Sequence, residues 1–136
     1  MSRIKELAVG LKNRVEETAT PEKSALTLAC GGVDVFSTPM MILLMENTCD
    51  FSVRPYLEDG KATVGTRVDI AHLSATPTGR RVWCESELTE IDGRRLRFKV
   101  TAYDEAGVIG EGTHERCIVD PQRLLAKANA KYGDGK

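Results

Sequence analysis

Phe36-Ser37-Thr38-Pro39-Met40-Met41-Ile42-Leu43-Leu44-Met45-Glu46-Asn47-Thr48 is the stretch that decides the fold. Thr38 suits an N-cap, and Pro39 suits the first helical position, where its missing N–H is not needed. Met40 to Met45 then offers apolar side chains on every face, which predicts an enclosed helix. The helix is expected to end near Arg54, because Pro55 disfavours helical backbone in the residue before it. One carboxylate, Glu46, falls inside this apolar run. Burying an unpaired carboxylate costs several kcal/mol. Glu46 therefore either points outward or is held for a purpose.

Around this helix the pattern changes. Leu11 to Thr20 reads as a half-exposed strand stopped by Pro21, and Met1 to Val9 as a short helical lead-in. Beyond Gly60 the chain is β-like. Ala62 to Leu73 is rich in Thr, Val and Ile, with Val64, Thr66, Val68 and Ile70 on one face. Arg80 to Ile91 places Val82, Cys84, Ser86 and Leu88 on one face and Trp83 on the other. Arg94 to Tyr103 alternates Leu96, Phe98, Val100 and Ala102 against Arg95, Arg97 and Lys99. Val108 to Val119 is the last strand, and Gln122 to Lys131 a polar helix. Asp92-Gly93 predicts a type I′ hairpin, and Glu105-Ala106-Gly107 a second turn. The four strands read as an antiparallel run joined by hairpins. The apolar helix is the one element able to cover a face of that sheet. This is an α+β hot-dog arrangement, a long central helix wrapped by a curved antiparallel sheet, in a single domain over 1–136.

Composition narrows the function. The net charge is -1, which argues against binding nucleic acid by bulk charge. The longest apolar run falls far short of the roughly 20 residues of a membrane span, and the first residues carry no apolar signal core. A cytoplasmic location is expected. Cys30, Cys49, Cys84 and Cys117 are scattered, with no Cys-x-x-Cys and no His at zinc-ligand spacing, so buried free thiols and no metal are expected.

Further residues carry a resemblance. Thr38, Leu44-Met45-Glu46, Pro55-Tyr56-Leu57, Gly65-Thr66, His72, Ala75-Thr76-Pro77, Gly93-Arg94-Arg95-Leu96 and Gly112-Thr113-His114-Glu115-Arg116 stand in an order and spacing similar to the hot-dog acyl-CoA thioesterases typified by the fluoroacetyl-CoA thioesterase. The resemblance implies hydrolysis of a small acyl-CoA by a catalytic group of Thr38, Glu46 and His72. It implies Gly65 near the thioester carbonyl and Arg116 near the acyl pocket. It also implies a homodimer, with a tetramer as the larger option, whose active site lies between subunits. Coenzyme A enters only as part of the substrate, with no other cofactor. The chain departs from the family at one place. The aromatic lid position falls on Gly32, and Phe36 is the candidate substitute as a substrate-binding residue. A broader or different short acyl group than fluoroacetyl is therefore expected.

The same residues allow plainer readings. Thr38 serves as a cap whatever else it does, His114 and Arg116 share a strand face as surface ion-pair partners of Glu or Asp neighbours, and Gly65 serves as a bulge marker. Arg94, Arg95, Arg97 and Lys99 read as a solvated face, with the coenzyme A phosphates as a weaker alternative. Rival functions are a hot-dog hydratase or dehydratase, disfavoured because Asp34 has no His near it in sequence, and a non-catalytic acyl-CoA binding protein. Two geometric obstacles stand out. Thr38 and Glu46 lie about 12 Å apart along a continuous helix. Gly65 and His72 face opposite sides of a strand unless a bulge intervenes.

Overall fold

The computed structural model describes residues 6–133. Five strands form one antiparallel sheet: β1 (Lys12–Thr18), β2 (Ala62–His72), β3 (Arg81–Asp92), β4 (Arg95–Asp104) and β5 (Gly107–Val119). Their order is β1-β3-β4-β5-β2. Helix α1 (Thr38–Val53) packs on one face of the sheet, and α2 (Pro121–Ala130) follows β5. The part of the expected lead-in helix that is described, residues 6–9, is not helical, and the rest lies outside the described residues.

The core lies between α1 and β3–β5. Met41, Leu44, Met45, Cys49 and Val53 pack against Val82, Cys84 and Leu88 of β3, Leu96, Phe98 and Val100 of β4, and Ile109 of β5. The apolar alternation of β3 and β4 falls on this inner face. Each large side chain buried there contributes about 1.5–3 kcal/mol. The helix is not enclosed all round. Leu43 and Phe51 are exposed on its far side. Trp83 lies on the outer face of the sheet, stacked on Tyr103.

Several local expectations shift by one residue. The N-cap is Ser37, whose Oγ accepts from the Met40 N–H at 3.3 Å, so Thr38 is already helical. The β3–β4 loop is Gly93-Arg94, since Asp92 pairs with Arg95. Of these two residues only Gly93 has positive φ, which is the Gly-X pattern of a type II′ turn rather than I′.

The strands are not all joined by hairpins. β2 pairs with β5 and β3 with β1, so the Leu73–Arg80 segment carries the chain across the end of the sheet. Thr76 pins that segment. Its hydroxyl donates to Asp104 Oδ2 at 2.7 Å, and its carbonyl accepts from the Phe36 N–H. Two cysteines, Cys49 and Cys84, are buried as expected, whereas Cys30 is exposed and Cys117 half-buried. Burial raises both buried thiols, Cys84 to about 11, so neither is a ready thiolate.

β2 carries a bulge. Gly65 pairs with Arg116 but Arg67 with Glu115, which leaves Thr66 as the extra residue. Past the bulge Val68 pairs with His114, Ile70 with Gly112 and His72 with Gly110. Thr63, Gly65, Val68, Ile70 and His72 therefore share the inner face. Of the expected set, Val68 and Ile70 lie on this face, and the bulge puts Val64 and Thr66 out of phase with them.

Candidate active site

Because Ser37 takes the capping role, the Thr38 hydroxyl is free for another partner. Thr38 Oγ1 lies 2.7 Å from His72 Nδ1. Burial lowers the His72 pKa from 6.5, opposed by the Ser74 backbone, so the ring is neutral near pH 7. Its Nε2 is buried without a hydrogen-bond partner among the described residues. Past Thr38, the first turn of α1 offers no free N–H at Pro39 to Met41. Proline has none, Met40 bonds Ser37 Oγ, and Met41 bonds the Ser37 carbonyl. The N–H of Thr38 remains, at the positive end of α1.

A cavity of about 300 Å³ opens beside this pair, lined by Cys30, Phe36, Thr38, Pro39, His72 and Leu73 among others. Phe36 forms part of its wall but is 1% exposed and belongs to the core. Its ring packs in the core behind that wall. Gly32 is exposed, with open space around it.

Glu46 belongs to a second cluster. Its Oε2 lies 3.5 Å from Arg116 Nη1 and 3.8 Å from His114 Nε2, with the side chain about a third exposed. It is thus neither sealed in apolar surroundings nor free in solvent. Arg116 is buried and heavily committed. Its Nε donates to Thr63 Oγ1 at 2.8 Å and Nη2 to the Thr63 carbonyl at 3.0 Å. Asp50 Oδ1 stands 3.7 Å from Nη2. Such a guanidinium is placed to orient Glu46. Gly65 covers the carboxylate, and a Cβ there would collide with Glu46 Oε2.

His114 was read from sequence as a surface residue, and it is 1% exposed. The signal for its role was its alternation with Arg116 on one strand, two residues apart and on the side of Gly65. Burial is the main cause lowering its pKa, and the Arg116 charge adds to it while the Arg67 carbonyl opposes it. Because the folded pKa is below the unfolded value of about 6.5, the unfolded chain binds more protons beneath that pH. Stability is therefore full above pH 6.5 and falls as pH drops toward the folded pKa. His72 acts in the same direction. We predict a melting temperature that declines from pH 6.5 to about 5 and declines less in His114→Gln. A Tm-versus-pH series that leaves the two proteins parallel would contradict it.

Two of the outer-face arginines have carboxylate neighbours. Arg97 pairs in register with Glu90 and Glu115, and Arg95 reaches Glu115 at 3.5 Å. Among the described residues, no group of three or more His, Cys, Asp or Glu is arranged to hold a metal, and no helix is long and apolar enough to cross a membrane.

Within one chain the two clusters stay apart. His72 and Gly65 sit near opposite ends of β2, about 20 Å apart at strand rise. The fold, with a hydroxyl–imidazole pair at one end of an edge strand and a held carboxylate at the other, is that of the hot-dog acyl-CoA thioesterases. Residues 15–122 match the sequence profile of the fluoroacetyl-CoA-specific thioesterases, and the chain belongs to that family. The fluoroacetyl-CoA thioesterase of Streptantibioticus cattleyicolor is 41% identical over 102 residues, which span 75% of this chain and 73% of that protein. A solved structure of the fluoroacetyl-CoA thioesterase FlK superposes with TM-score 0.88 at 34% identity, covering 93% of this chain and 98% of that one. A thioesterase superfamily member from Thermus thermophilus gives 0.83 at 29% identity, covering 98% and 96%.

Proposed function

We propose that this acyl-CoA thioesterase cleaves short acyl-CoA thioesters at a site built from two copies of the chain. The observation that carries the reading is the bulge at Thr66, which turns Gly65 and His72 to the same face. β2 is an edge strand, with residues 65–69 exposed. Such an edge is a template for pairing with another strand. A two-fold axis through Asp69 would set Ile70 against the partner's Val68, and His72 against the partner's Gly65. Opposed residues then share a face, as antiparallel pairing requires. The partner's Glu46, lying beneath the partner's Gly65, would arrive beside Thr38 and His72. Leu43 and Val68, both exposed in the single chain, would be covered at this seam.

The chemistry follows from the parts. The Glu46 carboxylate takes a proton from water as it adds to the thioester carbonyl carbon. The Thr38 hydroxyl, oriented by neutral His72, and the Thr38 N–H at the helix start face the developing oxyanion. Collapse breaks the C–S bond. The thiol leaves with the proton that Glu46 took, and the carboxylic acid remains. No metal or redox group enters this scheme.

Because the aromatic lid position is Gly32 and Phe36 is packed in the core, a panel of short acyl-CoAs, fluoroacetyl-CoA included, is the substrate range to assay. Thiol release from that panel tests the reading, and tight binding with no release would overturn it. Gly65→Ala is a sharper test. The added methyl displaces the Glu46 carboxylate, so kcat should fall by about 10²-fold, the usual loss when a reacting group is misplaced by an ångström. Wild-type kcat in that variant would remove Gly65 from the site.

A further inference from the structure

We infer that His114 is a positioning residue that fixes the Glu46 carboxylate through Arg116, an inference that rests on the reading of Glu46 as the base. A backbone carbonyl can only accept, so the 2.8 Å contact between His114 Nδ1 and the Arg67 carbonyl puts the proton on Nδ1. Nε2 is then bare and accepts from Arg116 Nη1 at 3.1 Å. That same Nη1 faces Glu46 Oε2. The imidazole is thereby locked in one neutral tautomer between a strand carbonyl and a guanidinium.

The lock has a structural origin. The Arg67 carbonyl follows directly on the Thr66 bulge, so the irregularity that turns Gly65 inward also supplies the acceptor for His114. Two sides of the guanidinium are held by Thr63 and the third by His114. Removing the imidazole leaves Nη1 with Glu46 alone, and the carboxylate gains freedom to leave the position beneath Gly65. An imidazolium would instead present a second N–H to a guanidinium, which repels.

The side-chain ¹⁵N spectrum of the wild-type protein should show His114 as the Nδ1–H tautomer from pH 6 to 8. An imidazolium or an Nε2–H tautomer there overturns the inference. In kinetics, His114→Phe should lower kcat by about 10- to 100-fold with KM nearly unchanged, and His114→Gln, whose side-chain oxygen can still accept from Arg116, should recover most of it. On a Glu46→Gln background, His114→Phe should lower the residual rate no further, because the group it positions is already gone. An equal loss on both backgrounds overturns the inference. So does wild-type kcat in His114→Phe while Glu46→Gln is inactive. Wild-type turnover by Glu46→Gln overturns the reading of the site itself.

Discussion

Glu46→Gln is expected to lose about 10²- to 10⁴-fold in kcat, the range over which a general base contributes. The amide keeps the size of the side chain and still offers an oxygen to Arg116, so the loss reports the missing charge and basicity. Stability should change by less than about 1 kcal/mol, because the ion pair is partly open to solvent. Asp50 stays beside Arg116, so the buried guanidinium keeps a carboxylate neighbour. Circular dichroism and gel filtration should match the wild type, while thiol release from short acyl-CoAs nearly disappears. A variant that is folded and fully active would remove Glu46 from the chemistry.

The second large effect is a recovery. His72→Ala and Glu46→Gln should each be inactive alone, because every two-chain site then lacks one member. In a mixed dimer, one of the two sites unites wild-type His72 from one chain with wild-type Glu46 from the other. The opposite site carries both defects. Mixed dimers purified through two different tags should therefore show about half the wild-type activity per dimer, a consequence of two-fold symmetry. Should the acid and the imidazole act within one chain, the mixed dimer would stay as inactive as its parents. The outcome depends on where the two clusters meet and not on whether a water or Thr38 makes the attack.

Much of the fold was legible because it rests on periodicity. The Phe36–Thr48 stretch placed α1, and alternation in β3 and β4 named the inner face. What escaped was geometry finer than one residue. Ser37 and Thr38 are both competent caps, and only the path of the chain into the helix decides between them. That choice matters, since the residue that is not capping has a hydroxyl to spare. The hairpin loop moved by one residue because the glycine takes the first loop position. The crossing of Leu73–Arg80 was illegible because strand order depends on tertiary pairing, which a local pattern does not encode.

The arrangement of the candidate site was not legible in the sequence. Thr38, Glu46 and His72 came through resemblance, and the structure holds them as a pair and a separate carboxylate. Arg116 came through the same resemblance, and its bonds to Thr63, His114 and Glu46 were not legible in the sequence. His114 was passed over because a strand histidine beside an arginine has an ordinary reading. Only the burial of both, and the carbonyl that fixes the imidazole, set it apart. Phe36 was expected near substrate and does border the cavity, as a buried part of the core.

The bulge at Thr66 makes chain length, rather than side-chain identity, the thing that matters at that point. The Arg67 side chain that follows it looks outward, and its chemistry is open to drift. Deleting a single residue there would rotate Thr63 and Gly65 half a turn about the strand and strand the Glu46 carboxylate under a backbone facing the wrong way, so the proposed chemistry is expected to be lost with each of its proposed groups still present. Related chains should therefore tolerate many letters at this position but very few gaps.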